Sequence, residues 1–207
     1  MAVRADGVGG AVAKRAGRSA ARLATLFKTI AVCSALGLAV APAASSAAEA
    51  VAEPQDYKTT DYRSPVPSTL AGARVVTADE AKALWDGKQA IFVDVYPRAP
   101  KPPNLPAGTI WRDPKHATIP EAHWLPNVGY GVLAPDVETY LKAQLSRLTG
   151  GDAARPLVFF CLKDCWMSWN AAKRARALGY ASVIWFPDGT DGWQGLGLDL
   201  VEAQAVP

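Results

Sequence analysis

Two cysteines, Cys161 and Cys165, stand four residues apart and are the residues of this sequence best equipped for chemistry. They enclose Leu162, Lys163 and Asp164, and Trp166 follows at once. A cysteine acts as nucleophile or metal ligand through its thiolate. A bridge between the two would close a very short ring, and disulfides stabilise less as the closed loop shortens. A structural staple is therefore a poor explanation for the pair. Three uses remain open. Cys161 could carry a persulfide and pass its sulfur to an acceptor, the loop residues Leu162, Lys163, Asp164 and Trp166 holding the substrate. Cys161 and Cys165 could cycle between dithiol and disulfide, Cys161 attacking and Cys165 resolving. The pair could bind a redox cofactor or a soft metal, and two thiolates suit copper(I). Zinc needs about four ligands; only His116 and His123 could add to the pair, at no recognised spacing. Haem attachment needs a histidine directly after the second cysteine, and Trp166 is there instead.

The elements around the pair decide which use is available. Residues 157–160 are a continuous apolar run leading straight into Cys161, as a buried strand does. Residues 168–178 are rich in alanine and end at Gly179, which predicts a helix. A sulfur between a strand end and a helix start faces unpaired amides and the positive end of the helix dipole. That placement predicts a lowered pKa for Cys161. Asp164 is placed to cap the helix, and its charge opposes a thiolate.

The same alternation continues upstream. Residues 74–76 and 90–95 read as strands. Thr77 and Glu80 form a capping box for a helix that ends at Asp86-Gly87. Residues 136–148 carry Val137, Leu141, Leu145 and Leu148 on one helical face, and residues 182–186 read as a last strand. Strand and helix in alternation predict an α/β fold with a parallel sheet. Asp94, ending its strand, is expected to tie down the sheet's carboxyl edge. Pro97, Pro100, Pro102, Pro103 and Pro106 exclude regular structure, so residues 97–118 read as a long loop or lid. His123 is a candidate general base, with a structural hydrogen bond as the favoured role. Trp111, Trp166, Trp169 and Trp193 are candidates for an aromatic wall around the thiols. Of these, Trp193 is assigned to packing and Trp166 to function.

The first 48 residues read as a secretory signal peptide. Six basic residues precede Thr29, an uncharged apolar run extends to Val40, and small residues follow. The run is far shorter than the roughly 20 residues of a membrane-spanning helix. Of 22 Lys and Arg and 19 Asp and Glu, the leader holds six and one. That leaves 16 against 18, a mature chain near −2. The basic balance therefore predicts no nucleic-acid partner, and no membrane after the leader is removed. Residues 49–73 read as an extended lead-in and residues 74–207 as the folded domain.

Five blocks in order resemble the rhodanese family. They are Phe92-Val93-Asp94-Val95, Ile119-Pro120-Glu121-Ala122-His123, Val158-Phe159-Phe160-Cys161, Leu178-Gly179-Tyr180, and Asp188-Gly189 with Trp193. The resemblance implies a rhodanese-like fold, a central mostly parallel sheet flanked by helices, with Cys161 at the catalytic position. The family usually has an anion-binding arginine five residues after that cysteine; here Trp166 occupies the place. The Cys161–Trp166 loop, Tyr62-Arg63, Pro65-Val66-Pro67, Trp111-Arg112-Asp113-Pro114 and Trp166-Met167-Ser168-Trp169-Asn170 resemble a narrower group. These are exported proteins with a CxxxCW motif associated with PQQ-dependent alcohol oxidation. That resemblance implies a periplasmic accessory protein. Its partners would be a small sulfur- or thiol-containing substrate, or a PQQ-dependent dehydrogenase or cytochrome c system.

Overall fold

The structure is a computed structural model and describes residues 50–207. The signal peptide expected in residues 1–48 lies outside the described residues. No helix among the described residues is long and apolar enough to cross a membrane.

Five short strands build the central sheet: β1 (Arg74–Val75), β2 (Ile91–Asp94), β4 (His123–Trp124), β5 (Leu157–Phe160) and β6 (Val183–Trp185), in the order β1-β6-β5-β2-β4. Every pairing in it is parallel. A separate antiparallel ribbon joins β3 (Ala117–Thr118) to β7 (Val201–Glu202). Four helices connect the strands: α1 (Ala78–Asp86), α2 (Pro135–Thr149), α3 (Trp166–Ala177) and α4 (Gly189–Gly195).

Successive strand residues point to opposite faces, and the two cores follow that rule. Val93, Leu157, Phe159, Val183 and Trp185 pack with Leu141 and Leu145 of α2 and with α3. Phe92, Val158, Phe160 and Ile184 pack with Ala81 and Leu84 of α1 and Trp193 of α4. Helices thus cover both faces, the α/β class expected from the sequence. Both faces being apolar explains why β5 is a continuous hydrophobic run.

Local signals behave as their chemistry requires. Thr77 and Glu80 cap α1 reciprocally, and Gly150 ends α2 in the left-handed conformation. Helix α3 starts at Trp166, two residues earlier than residues 168–178 suggested. Helix α4 and strand β7 were not anticipated, being short and rich in glycine and exposed residues.

Asp94 is fully buried and accepts three hydrogen bonds. They come from the Tyr96 amide (2.9 Å), the Thr118 hydroxyl (2.6 Å) and His116 Nε2, whose ring lies 2.7 Å away. The carboxylate thereby ties the end of β2 to β3. The His116 ring stacks on Tyr96 (4.8 Å).

Strand β5 and helix α4 meet closely beyond the sheet. Gly189 has φ +50°, and a Cβ there would strike the Cys161 carbonyl. The Thr190 amide donates to that same carbonyl (2.9 Å). Gly189→Ala should therefore cost at least about 1–3 kcal/mol from backbone strain alone. Chemical denaturation measures this, and an unchanged midpoint would refute the close approach.

Candidate functional site

The site begins where β5 ends. Cys161 follows Phe160 directly and is 1% exposed. The loop is then fastened to the start of α4. Leu162 bridges Gly189, and the Lys163 amide donates to the Asp191 carboxylate (2.9 Å). Asp164 turns the chain with φ 52°. Cys165, 2% exposed, is the N-cap residue of α3. Both thiols are free, and both belong to the core on the α2–α3 face.

The two sulfurs have opposite surroundings. Cys161 Sγ points at carbonyl oxygens, those of Cys165 (3.5 Å) and Leu162 (3.7 Å). Acceptors favour the protonated sulfur. Burial pushes the Cys161 thiol well above its ordinary range, the neighbouring Cys165 sulfur adds to this, and hydrogen bonds from Ser168 oppose it. Cys165 is shifted the other way. The neighbouring Cys161 thiol contributes most, and the nearby Met167 and Leu162 amides and the Arg63 side chain add to it. Together they outweigh desolvation and bring Cys165 down to about 6. The two directions favour the proton on Cys161 and the negative charge on Cys165.

These directions are opposite to the lowered Cys161 pKa expected from the helix dipole. The turn at Asp164 brings Cys165 to the N-cap position and leaves Cys161 facing carbonyls. Asp164 is exposed and does not cap α3; Cys165 occupies the cap, with no side-chain capping bond.

The other expected site residues separate. Lys163 is exposed, and its ammonium makes no hydrogen bond or ion pair among the described residues. Leu162 is half-buried against the core. Trp166 is 3% exposed and holds protein rather than a pocket. Its indole donates to Ser64 Oγ (3.0 Å) and the Pro65 carbonyl (3.1 Å), and its amide donates to the Tyr62 carbonyl (2.9 Å). Trp169 meets Trp166 edge-on at 5.4 Å and donates to the Thr69 carbonyl (3.1 Å). Trp111 bonds Asp113 in the proline-rich segment, and Trp193 packs on the opposite face of the sheet. Neither stands with the thiols, so no four-tryptophan wall exists. His123 makes no side-chain hydrogen bond among the described residues. Its pKa is lowered, first by burial and then by the Arg147 charge. The structural hydrogen bond expected of it belongs to His116 instead. Arg63 and Ser168 were missed as site residues. Arg63 lies far away in sequence, and Ser168 carries no mark that sets it apart from ordinary helix.

A metal fits poorly. Among the described residues no three His, Cys, Asp or Glu cluster as ligands, so a four-ligand zinc site is not built. Copper(I) would need two thiolates, and the surroundings of Cys161 hold its proton. A groove of about 520 Å³ opens between the proline-rich segment and α2, lined by Arg98, Lys101, Trp111, Tyr130 and Val132 among others. The cysteines do not line it. The Tyr130 ring meets Tyr62 at 5.4 Å, so the lead-in stands next to this groove.

No protein-family model and no curated protein matches this chain. Solved structures give partial likenesses. One is a thiosulfate sulfurtransferase from Pseudomonas aeruginosa, 16% identical with a TM-score of 0.42. That likeness covers 64% of this chain and 21% of the other, so the chain spans about a fifth of that protein's length. Another is the polysulfide-sulfur transferase homodimer from Wolinella succinogenes, 19% identical with a TM-score of 0.40, covering 63% of this chain and 80% of that one. An uncharacterized protein from Saccharomyces cerevisiae is 18% identical with a TM-score of 0.37, covering 61% and 98%.

The opposed surroundings have a direct readout. Thiolate ultraviolet absorbance should rise in a step at about 6, vanish in Cys165→Ser, and move to higher pH in Cys161→Ser. A single step near the ordinary value of 9.0 would contradict the assignment. Stability should follow. Between about 6 and 9.0 the unfolded chain binds a proton that the folded chain does not, so stability rises with pH. Above that window the raised Cys161 thiol reverses the trend, because the unfolded cysteine ionises first. Denaturation midpoints across this range check the sign, and a flat profile would refute it.

Proposed function

We propose that this protein handles sulfur through the Cys161–Cys165 pair, with Cys165 as the attacking thiolate. The observation that carries the reading is the pair of free, buried cysteines between β5 and α3, one at the strand end and one at the helix N-cap. The Cys165 thiolate attacks the outer sulfur of a sulfane donor. A sulfur–sulfur bond forms to Cys165, the donor's own bond to that sulfur breaks, and the donor leaves with the electron pair. The resulting persulfide passes its outer sulfur to an acceptor thiolate, which restores Cys165. The rhodanese-like sequence blocks agree with sulfur transfer at this loop and place Cys161 at the family's catalytic position.

The placement of both cysteines in one short buried loop favours a second outcome at the same site. The Cys161 sulfur attacks the inner sulfur of the Cys165 persulfide. A Cys161–Cys165 disulfide forms, and the departing sulfur leaves as hydrosulfide with the Cys161 proton. A thiol reductant would then be needed to reset the pair.

The setting we propose is the periplasm, reached through the leader in residues 1–48. There the protein would serve a PQQ-dependent alcohol-oxidising system, through its dehydrogenase or cytochrome c. The resemblance of the Cys161–Trp166 loop to the CxxxCW group supports that setting.

Mass spectrometry after exposure to thiosulfate or an organic persulfide tests the chemistry. The expected product is one added sulfur on Cys165, absent in Cys165→Ser and accumulating in Cys161→Ser. Loss of two hydrogens in the unsubstituted protein marks the disulfide branch. Added sulfur on Cys161 in Cys165→Ser, at the rate of the unsubstituted protein, would overturn the assignment.

A further inference from the structure

A second buried polar group stands apart from the cysteines. Asp94 ends β2 fully buried, and His116 Nε2 lies 2.7 Å from its Oδ2. Its other donors are the Thr118 hydroxyl (2.6 Å) and the Tyr96 amide (2.9 Å). An ionised carboxylate only accepts hydrogen bonds, and two lone pairs would repel at that distance. The proton of a neutral imidazole therefore sits on Nε2, and Nδ1 carries a bare lone pair.

That lone pair has no protein partner. The His116 side chain is 9% exposed. Its Nδ1 makes no hydrogen bond among the described residues, and no side-chain nitrogen or oxygen among them is sealed from solvent without one. Nδ1 therefore opens onto reachable space. That space is a cavity of about 340 Å³, which His116 lines with Tyr96, Arg98, Pro100, Trp124 and Tyr130 among others. One water takes up about 30 Å³ of liquid, so the cavity is far larger than a single water needs and falls among small-molecule sites in size. It lies beyond the ends of β2 and β4, at the carboxyl edge where ligands of open α/β sheets bind.

The acceptor is held still. Tyr96 stacks on the ring at 4.8 Å with an 8° tilt, and Trp124 packs against it at 4.5 Å. The His116 carbonyl takes the Ala203 amide (2.8 Å). The rest of the lining selects the ligand. The Trp124 indole already donates to the Tyr96 carbonyl (2.7 Å). Both cations at the cavity are paired: Arg98 Nε lies 3.3 Å from Asp113, and Lys115 Nζ lies 2.7 Å from Glu202. The cavity thus offers aromatic walls, paired charges and one fixed acceptor.

We propose that this cavity binds a small uncharged molecule with a hydroxyl on an aromatic ring, the hydroxyl donating to His116 Nδ1 and the ring lying among Tyr96, Trp124 and Tyr130. Asp94 is the positioning residue, because it decides which imidazole nitrogen is bare. The site uses neither cysteine, so it stands or falls independently of sulfur transfer.

The test titrates the full chain with p-cresol and with p-xylene, which has the same shape and no hydroxyl. Calorimetry should show p-cresol binding about tenfold tighter, as expected when a buried acceptor is otherwise left unpaired. Nitrogen NMR at about pH 8, above the ordinary imidazole value of about 6.5, should show His116 protonated on Nε2 alone, with the Nδ1 signal moving on addition of p-cresol. Asp94→Asn places an amide donor against Nε2, so it should shift the proton to Nδ1 and weaken p-cresol about tenfold. Asp94 is fully buried, and the titrations and spectrum of the unsubstituted protein decide the matter even where that variant does not fold. No binding of p-cresol overturns the proposal, as does p-xylene binding equally well. A ring protonated on Nδ1 in the unsubstituted protein overturns it too. So does a folded Asp94→Asn protein that binds p-cresol undiminished.

Discussion

Two buried sulfurs sharing one proton are the constraint on which the rest of this site depends. A thiolate removed from water costs several kcal/mol in its effective environment. Hydrogen bonds to a charged group return about 1.5–3 kcal/mol each. The Cys161 thiol is the largest influence lowering Cys165, so its loss matters most. Cys161 contributes by keeping its proton, and it keeps its proton because it faces carbonyls. Neither cysteine's state can be stated without the other's.

Each part of the fold that seemed merely structural feeds this balance. Strand β5 runs through the centre of the sheet and delivers Cys161 to its carboxyl edge, where ligand sites of open α/β sheets lie. Gly189 lets α4 approach the Cys161 carbonyl, and Asp191 holds the loop from outside. Helix α3 begins directly after Cys165 and turns its Trp-Met-Ser-Trp-Asn stretch toward the lead-in. Trp185 Nε1 bonds Ser168 Oγ (3.0 Å), which keeps that hydroxyl beneath the sulfurs.

The sheet was legible because its signals are local. The apolar run at Leu157–Phe160, the Thr77–Glu80 capping box and the Gly150 stop each act over a few residues. Asp94's edge role could be read from its place at a strand end. What could not be read depends on distant partners. Nothing around Trp166 says that its indole binds Ser64, so its place in the motif suggested a substrate wall. Nothing near Arg63 marks it as a neighbour of Cys165. The N-cap residue of α3 could not be read either, because it is set by the left-handed turn at Asp164.

The shared proton can be counted directly. Raman difference spectra in the S–H stretching region, taken at about pH 7.5, below the ordinary ionisation of a thiol, would compare the protein with its Cys161→Ser/Cys165→Ser double variant. The account predicts that the double substitution removes one S–H oscillator, and that Cys165→Ser alone removes none. Loss of two oscillators in the double variant, or loss of one in Cys165→Ser, would contradict it.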